Sequence, residues 1–164
     1  MALWISGLAT LVIGVVLLAL DMRMTDAGGP GIIGFEFAGS EERAAEILAD
    51  WGDKGRDAAR LSLWIDYAYL AAYGTFLTLA VVASRDLAER RRRRRLAAIG
   101  TRITAFPIGA VIFDGLEDAW LLLALGGHGG DVAPFAAALF ATIKFVLLAV
   151  SLLYLLAGLA ARLR

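Results

Sequence analysis

The sequence predicts an all-α fold: a bundle of four transmembrane helices with a short amphipathic helix outside, between the first and second. Three features predict it. Four apolar runs are each long enough to cross ~30 Å of hydrocarbon, which takes about 20 helical residues. Hydrophobic residues make up 60% of the 164, and the mean hydropathy is +0.72, well above that of an ordinary soluble domain. The first run carries no charge, whereas a soluble bundle would show a polar face on every helix. Barrel strands would be short and alternating, and these runs are neither.

Helices are expected over residues 2–21, 61–84, 96–125 and 132–161, with an outer loop at 22–60, all within one domain spanning 1–164. The first run lacks a positive n-region, and no A-x-A pattern precedes Asp21, so it reads as an uncleaved membrane helix. The basic run Arg90–Arg95, with Arg85 before it and Arg162 and Arg164 at the end, fixes the orientation. Basic residues near membrane ends stay cytoplasmic, so both termini are expected inside. Five basic residues in the outer loop (Arg23, Arg43, Lys54, Arg56, Arg60) are diluted over a longer segment. No aromatics interleave with the arginine run, so it reads as a topology anchor that touches anionic headgroups, not a nucleic-acid patch. Trp4 and Tyr154 are expected at the inner membrane boundary and Trp64 at the outer one.

In the outer loop, Gly28-Gly29-Pro30-Gly31 breaks the chain. Ser40 reads as an N-cap, followed by Glu41 and Glu42 where negative charge suits the helix dipole. Ala44, Ile47, Leu48 and Trp51 share one face, and Gly52 can end that helix in a left-handed conformation. Such a helix is either a packing lid or a gate over the bundle. Gly34-Phe35-Glu36-Phe37 is expected to dip into the bundle mouth, with Glu36 as a further polar group.

The chemistry-bearing residues lie inside the apolar runs. Asp66, Tyr69 and Tyr73 form one stripe on the second helix. On the third, Asp114 and Asp118 are one turn apart with Glu117 beside them. Asp114 lies ~28 Å above Arg95 at ~1.5 Å per residue, which puts it at the depth of Asp66. Pro107 is expected to kink this helix, because it cannot donate to the carbonyl of Ile103. Lys144 is the lysine of the fourth helix, ~18 Å below its outer end. Ionisable residues in a bilayer face a protein interior or a wet cavity and mark function. Asp66, Asp114, Glu117, Asp118 and Lys144 are therefore expected to converge on an outward-facing cavity. The bland alternative is a set of ion pairs that lock the helices together. The acids outnumber the lysine, so at least one carboxyl is expected to hold a proton or a metal.

Hard oxygen ligands would suit Mg²⁺, Ca²⁺ or Mn²⁺, but no spacing is diagnostic, so neither a metal nor a cofactor is expected. His128 sits in a glycine-rich turn and is expected to be solvated. The absence of cysteine excludes thiolate chemistry and disulfides. No Walker, nucleophile-elbow, zincin or dinucleotide motif appears.

Asp66-Tyr67-Ala68-Tyr69 with Tyr73-Gly74, and Phe113-Asp114-Gly115-Leu116-Glu117-Asp118, together resemble a group of small bacterial four-helix membrane proteins of unknown function. Their patterns are D-Y…Y-G on helix two and D-x-x-E-N on helix three. The resemblance implies that Asp66, Tyr73, Asp114 and Glu117 are the group's intramembrane polar positions, and that the chain sits in a bacterial cytoplasmic membrane. Asp118 stands where the pattern has Asn and adds a charge. The architecture, without any shared motif, also resembles the sterol isomerase and sigma-2 receptor superfamily, which sets intramembrane acids around a hydrophobic ligand pocket.

The leading expectation is a binding protein for a lipid-like or amphiphilic small molecule, hydrophobic or cationic. Asp66, Tyr69, Tyr73, Asp114, Glu117, Asp118 and Lys144 would form its site. The runner-up is an isomerase- or cyclase-like membrane enzyme with a carboxyl general acid acting on a lipid. The third is an ion- or proton-coupled transporter subunit, working as a homo-oligomer.

Overall fold

The computed structural model describes residues 1–26 and 28–162. Arg164, counted above among the cytoplasmic basic residues, lies outside them, and so does the side chain of Arg162. The described chain is helical throughout, without strands among the described residues. Its elements are α1 (Ala2–Thr25), α2 (Ile32–Glu36), α3 (Glu41–Arg90), α4 (Arg94–Ile103), α5 (Phe106–Leu125) and α6 (Val132–Arg162). Four helical stretches are long and apolar enough to cross a membrane: α1, α3, α4 with α5, and α6.

α1 packs along α3, and glycines set how closely. A Cβ on Gly7 would lie 3.1 Å from the Phe76 ring, and one on Gly14 would meet Tyr69 at 3.6 Å. α5 packs on α6 and on α3, whereas α1 and α6 have no packed interface. α1 buries only Ser6, Leu20 and Met24, so most of its circumference faces outward. For a uniformly apolar helix that means lipid.

The expected outer helix is present as the first part of α3, and it ends where expected, at Gly52. Ser40 caps it, its side chain accepting from the Arg43 amide at 3.2 Å. Ala44, Ile47, Leu48 and Trp51 are all buried, as their spacing predicts. Gly52 adopts φ 56°, which glycine takes up without strain, and there the axis bends. The helix then resumes and runs to Arg90. At the bend, Arg56 Nε donates to the Leu48 carbonyl at 2.7 Å, occupying an acceptor near the disrupted turn. The second membrane helix thus starts before residue 61 and ends after 84. Residues 53–60 and 85–90 are rich in charge and carry no apolar run, so hydropathy does not mark them as part of the helix.

The third span is interrupted where Pro107 predicts, and α4 and α5 meet there through residues that keep right-handed helical backbone angles. The break falls at Thr104–Ala105, and Pro107 sits in the first turn of α5, where a missing amide is harmless. The Gly126–Asp131 turn uses Gly127, Gly129 and Gly130 at positive φ. Asp131 then reaches back to accept from the Glu41 amide at 2.8 Å, tying this turn to the start of α3. His128 is exposed in that turn, as expected.

Buried apolar residues form two separate clusters. The outer one gathers Met24, Phe35, Ile47, Trp51 and Leu121. The inner one gathers Val81, Ile103 and Tyr154. Tyr154 is therefore not an interface aromatic: it is 4% exposed, whereas Trp4 and Trp64 are exposed. A Cβ on Gly100 would collide with the Tyr154 ring, so this ring is wedged against α4. Between the two clusters lies a polar layer.

Candidate functional site

Lys144 is the hub of that layer. It lies 6% exposed on α6, and its Nζ donates to Asp114 Oδ1 at 2.8 Å and to Glu117 Oε1 at 2.9 Å. Glu36 Oε2 approaches it at 3.5 Å. α5 supplies two of these acids from one face, because Asp114 and Glu117 are three residues apart. α2 supplies the third. Glu36 reaches the hub because α2 is folded down onto the bundle. Asp21 at the end of α1 accepts from the Ile32 amide at 2.6 Å and holds the start of α2. Phe35 is fully buried against Trp51, with ring centroids 5.1 Å apart, and Trp51 Nε1 donates to the Pro30 carbonyl at 2.6 Å. The dip of residues 34–37 into the bundle mouth is as expected, and it forms a roof.

A second group sits across Asp114 from the lysine. Tyr73 on α3 donates to Asp114 Oδ2 at 2.7 Å, and its ring packs on Tyr69 with centroids 5.2 Å apart. Carboxylate oxygens of Asp66, Asp114 and Asp118 all lie within 4.8 Å of one another. Asp66 and Asp118 form no ion pair among the described residues, and the buried Asp118 Oδ2 has no hydrogen-bond partner. Lys144 can balance one negative charge. Glu36, Asp66, Asp114, Glu117 and Asp118 present five carboxyls. The surplus rests on the Asp66–Asp118 side.

Glu36 lies outside the membrane-spanning segments. Burial pushes its carboxyl above the ordinary value near 4.5; Lys144 opposes that shift and Asp114 adds to it.

These groups border a cavity of about 710 Å³. Its polar end is formed by Glu36, Asp66, Asp114, Asp118 and Lys144. Below, toward the bundle centre, the walls become apolar: Phe76 and Leu77 from α3, Leu148 and Leu152 from α6. Gly14, Leu17 and Leu18 of α1 close another side. Six of the seven residues proposed from sequence line this cavity. Glu117 does not; it is fully buried behind Lys144 and positions it. Glu36 and Asp21 line the cavity and were not among the seven. The signal for Glu36 was an acid set between two aromatics. Asp21 gave none beyond closing the first apolar run. Ser151 is buried but bonds its own helix, at the Leu147 carbonyl, and takes no part.

The two segments that carry the D-Y…Y-G and D-x-x-E patterns meet here, through the Tyr73–Asp114 hydrogen bond. Comparisons with family models, with curated proteins and with solved structures found no match for the chain.

Proposed function

We propose that this chain binds an amphiphilic small molecule inside the bundle, with the apolar body against α1, α3 and α6 and a cationic or polar head on Asp66, Asp114 and Asp118. The observation that carries this reading is the cavity itself. At about 710 Å³ it is the size of a small-molecule site, apolar along its length and acidic at one end. Asp66 and Asp118 have no cation of their own, so a cationic head would complete the charge balance that Lys144 begins. Kinship with the small bacterial four-helix proteins belongs to the same proposal, and the meeting of the two motif segments supports it. So does location in a bacterial cytoplasmic membrane with both termini inside, which the Arg90–Arg95 run supports.

The test is native mass spectrometry of protein in nanodiscs offered dodecylamine. Wild type is expected to retain it, and the Asp66→Asn, Asp118→Asn double variant to lose it while keeping its thermal transition. A wild type that retains no amphiphile, or a double variant that retains it equally, sinks the proposal.

A second reading is a lipid-modifying enzyme. It is favoured by two unpaired carboxyls facing one apolar cavity, where a shared proton would serve as a general acid. Its mark would be a chemically altered lipid released after incubation.

A further inference from the structure

We propose that the head group is a primary ammonium, selected over fully alkylated ammonium heads and over divalent metal ions. This rests on the amphiphile-binding reading and narrows it. The three carboxylate oxygens of Asp66, Asp114 and Asp118 lie within 4.8 Å of one another. Three points no further apart than that lie within about 2.8 Å of a common centre, the length of a charge-assisted N⁺–H···O⁻ bond. An ammonium nitrogen has three N–H donors, one for each acid. The molecule already contains the same solution: Lys144 Nζ sits among Asp114, Glu117 and Glu36 on the other side of Asp114. Asp114 is shared, with Oδ1 on Lys144 and Oδ2 on Tyr73, and a carboxylate oxygen can accept more than one bond.

The second indication is independent of the clustering. Asp118 is 3% exposed, it lines the cavity, and apart from the neighbouring Asp66 carboxyl no donor reaches its Oδ2. A trimethylammonium head has no N–H to give it; Tyr69 and Tyr73, which line the cavity beside the acids, offer such a head ring faces but leave Oδ2 without a donor. Calcium takes six to eight oxygens, and magnesium demands near-octahedral geometry with several waters. Here three carboxylates open onto leucine and phenylalanine walls, which would serve an ion poorly and an alkyl tail well.

Dodecylamine and dodecyltrimethylammonium share a tail and differ at the head, and their dissociation constants for the wild-type protein in nanodiscs test the proposal directly. Charged hydrogen bonds contribute about 1.5–3 kcal/mol each, so the primary amine is expected to bind at least about tenfold more tightly. The preference should shrink toward unity in Asp118→Asn, or in Asp66→Asn if the first variant does not fold. Equal affinity for the two heads overturns the head assignment and leaves the amphiphile reading standing. Binding of neither overturns both. Stabilisation of the amine-free protein by Ca²⁺ or Mn²⁺, lost in Asp118→Asn, overturns it in favour of a metal site.

A different observation carries the access route. Among the described residues α1 and α6 make at most a marginal contact, yet both line the cavity. The outer end is covered by α2, with Phe35 buried and Phe37 stacked on Phe145 at 5.9 Å. Leu18 and Leu152, on the two sides of the gap, are 61% and 52% exposed. We infer that the ligand passes sideways from the bilayer between α1 and α6. The chain has no cysteine, so Leu17→Cys with Leu148→Cys can be bridged cleanly by a flexible bismaleimide. Bridging before addition of dodecylamine should block loading, and bridging afterwards should trap the amine already bound. Loading and release at the rates of the single-cysteine controls overturn the lateral route, as does expulsion of preloaded amine by the bridge.

Discussion

At the scale of single residues, Lys144 and Asp114 should behave differently although they are bonded to each other. Removing the cation leaves Glu36, Asp114 and Glu117 facing one another in a buried layer. Breaking a buried pair by deleting one partner costs about 3–5 kcal/mol, so Lys144→Met should lower the thermal midpoint in detergent sharply. Asp114→Asn leaves Lys144 held by Glu117 and Glu36; the new amide oxygen can still accept from Lys144 while its NH2 donates to the Tyr73 hydroxyl oxygen. That variant should fold with a loss nearer about 1 kcal/mol. A similar loss in both would mean that Asp114 alone anchors the lysine. Glu36 gives a pH dependence. Its carboxyl is raised by burial, so the fold favours the protonated form, and this contribution is full below the ordinary value near 4.5. It is lost as pH climbs through the raised value, with Lys144 opposing the loss. Glu36→Gln should therefore flatten the fall in midpoint as pH rises above the ordinary value near 4.5. An unchanged slope would place the titration elsewhere. Acids inside apolar runs were legible because any charge there is conspicuous. Glu36 was harder to read, because it sits in an outer segment with many other charges, where one more carries no contrast. Tyr154 was misread because a lone aromatic near a helix end looks the same whether it faces headgroups or packs inward.

At the scale of elements, the four spans were legible because hydrocarbon thickness fixes their length. Their ends were not, because charged helical turns outside the membrane have no apolar period. The roof illustrates the point. Ser40, the buried face through Trp51 and the bend at Gly52 were readable, since cap, spacing and glycine each carry a local signal. The second helix that begins directly after Gly52 was not, because residues 53–60 carry no apolar run to announce it. The bend also yields a prediction. At φ 56° and ψ -168°, a region almost reserved for glycine, a side chain costs about 1–3 kcal/mol, and a Cβ there would touch nothing else within 4 Å. Gly52→Ala should thus weaken the roof through backbone strain alone. Amide exchange in residues 41–51 is expected to quicken while that of the inner half of α3 stays the same. Uniform quickening along α3 would show that the bend is part of the bundle's global stability. The α4–α5 break was legible in Pro107, which leaves the Ile103 carbonyl without its amide partner just where α4 ends.

At the scale of the whole molecule, the outward faces decide its surroundings. Trp4, Leu8, Leu11, Val15 and Leu18 on α1, and Leu152, Leu153, Leu156 and Leu159 on α6, are all more than half exposed. Patches of that extent on a water-soluble monomer would drive association, whereas hydrocarbon covers them without penalty. α1 is ~36 Å long at ~1.5 Å per residue, enough to span with some tilt. Orientation follows from where the charge lies. Arg90–Arg95 join α3 to α4, so the proposed orientation has the α3–α4 end of the bundle in the cytoplasm and the α2 roof with the Gly126–Asp131 turn outside. The helix count then puts both ends of the chain on the arginine side. Exposed positions on each face make this measurable. Ala49 lies on the outer surface of the roof helix and Glu89 at the end of α3, and both are exposed. With no native cysteine to compete, Ala49→Cys should react with an impermeant maleimide on intact cells, and Glu89→Cys only after the membrane is opened. The reverse pattern would turn the molecule over: the acidic end of the cavity would face the cytoplasm, and the gap between α1 and α6 would draw its ligand from the inner leaflet.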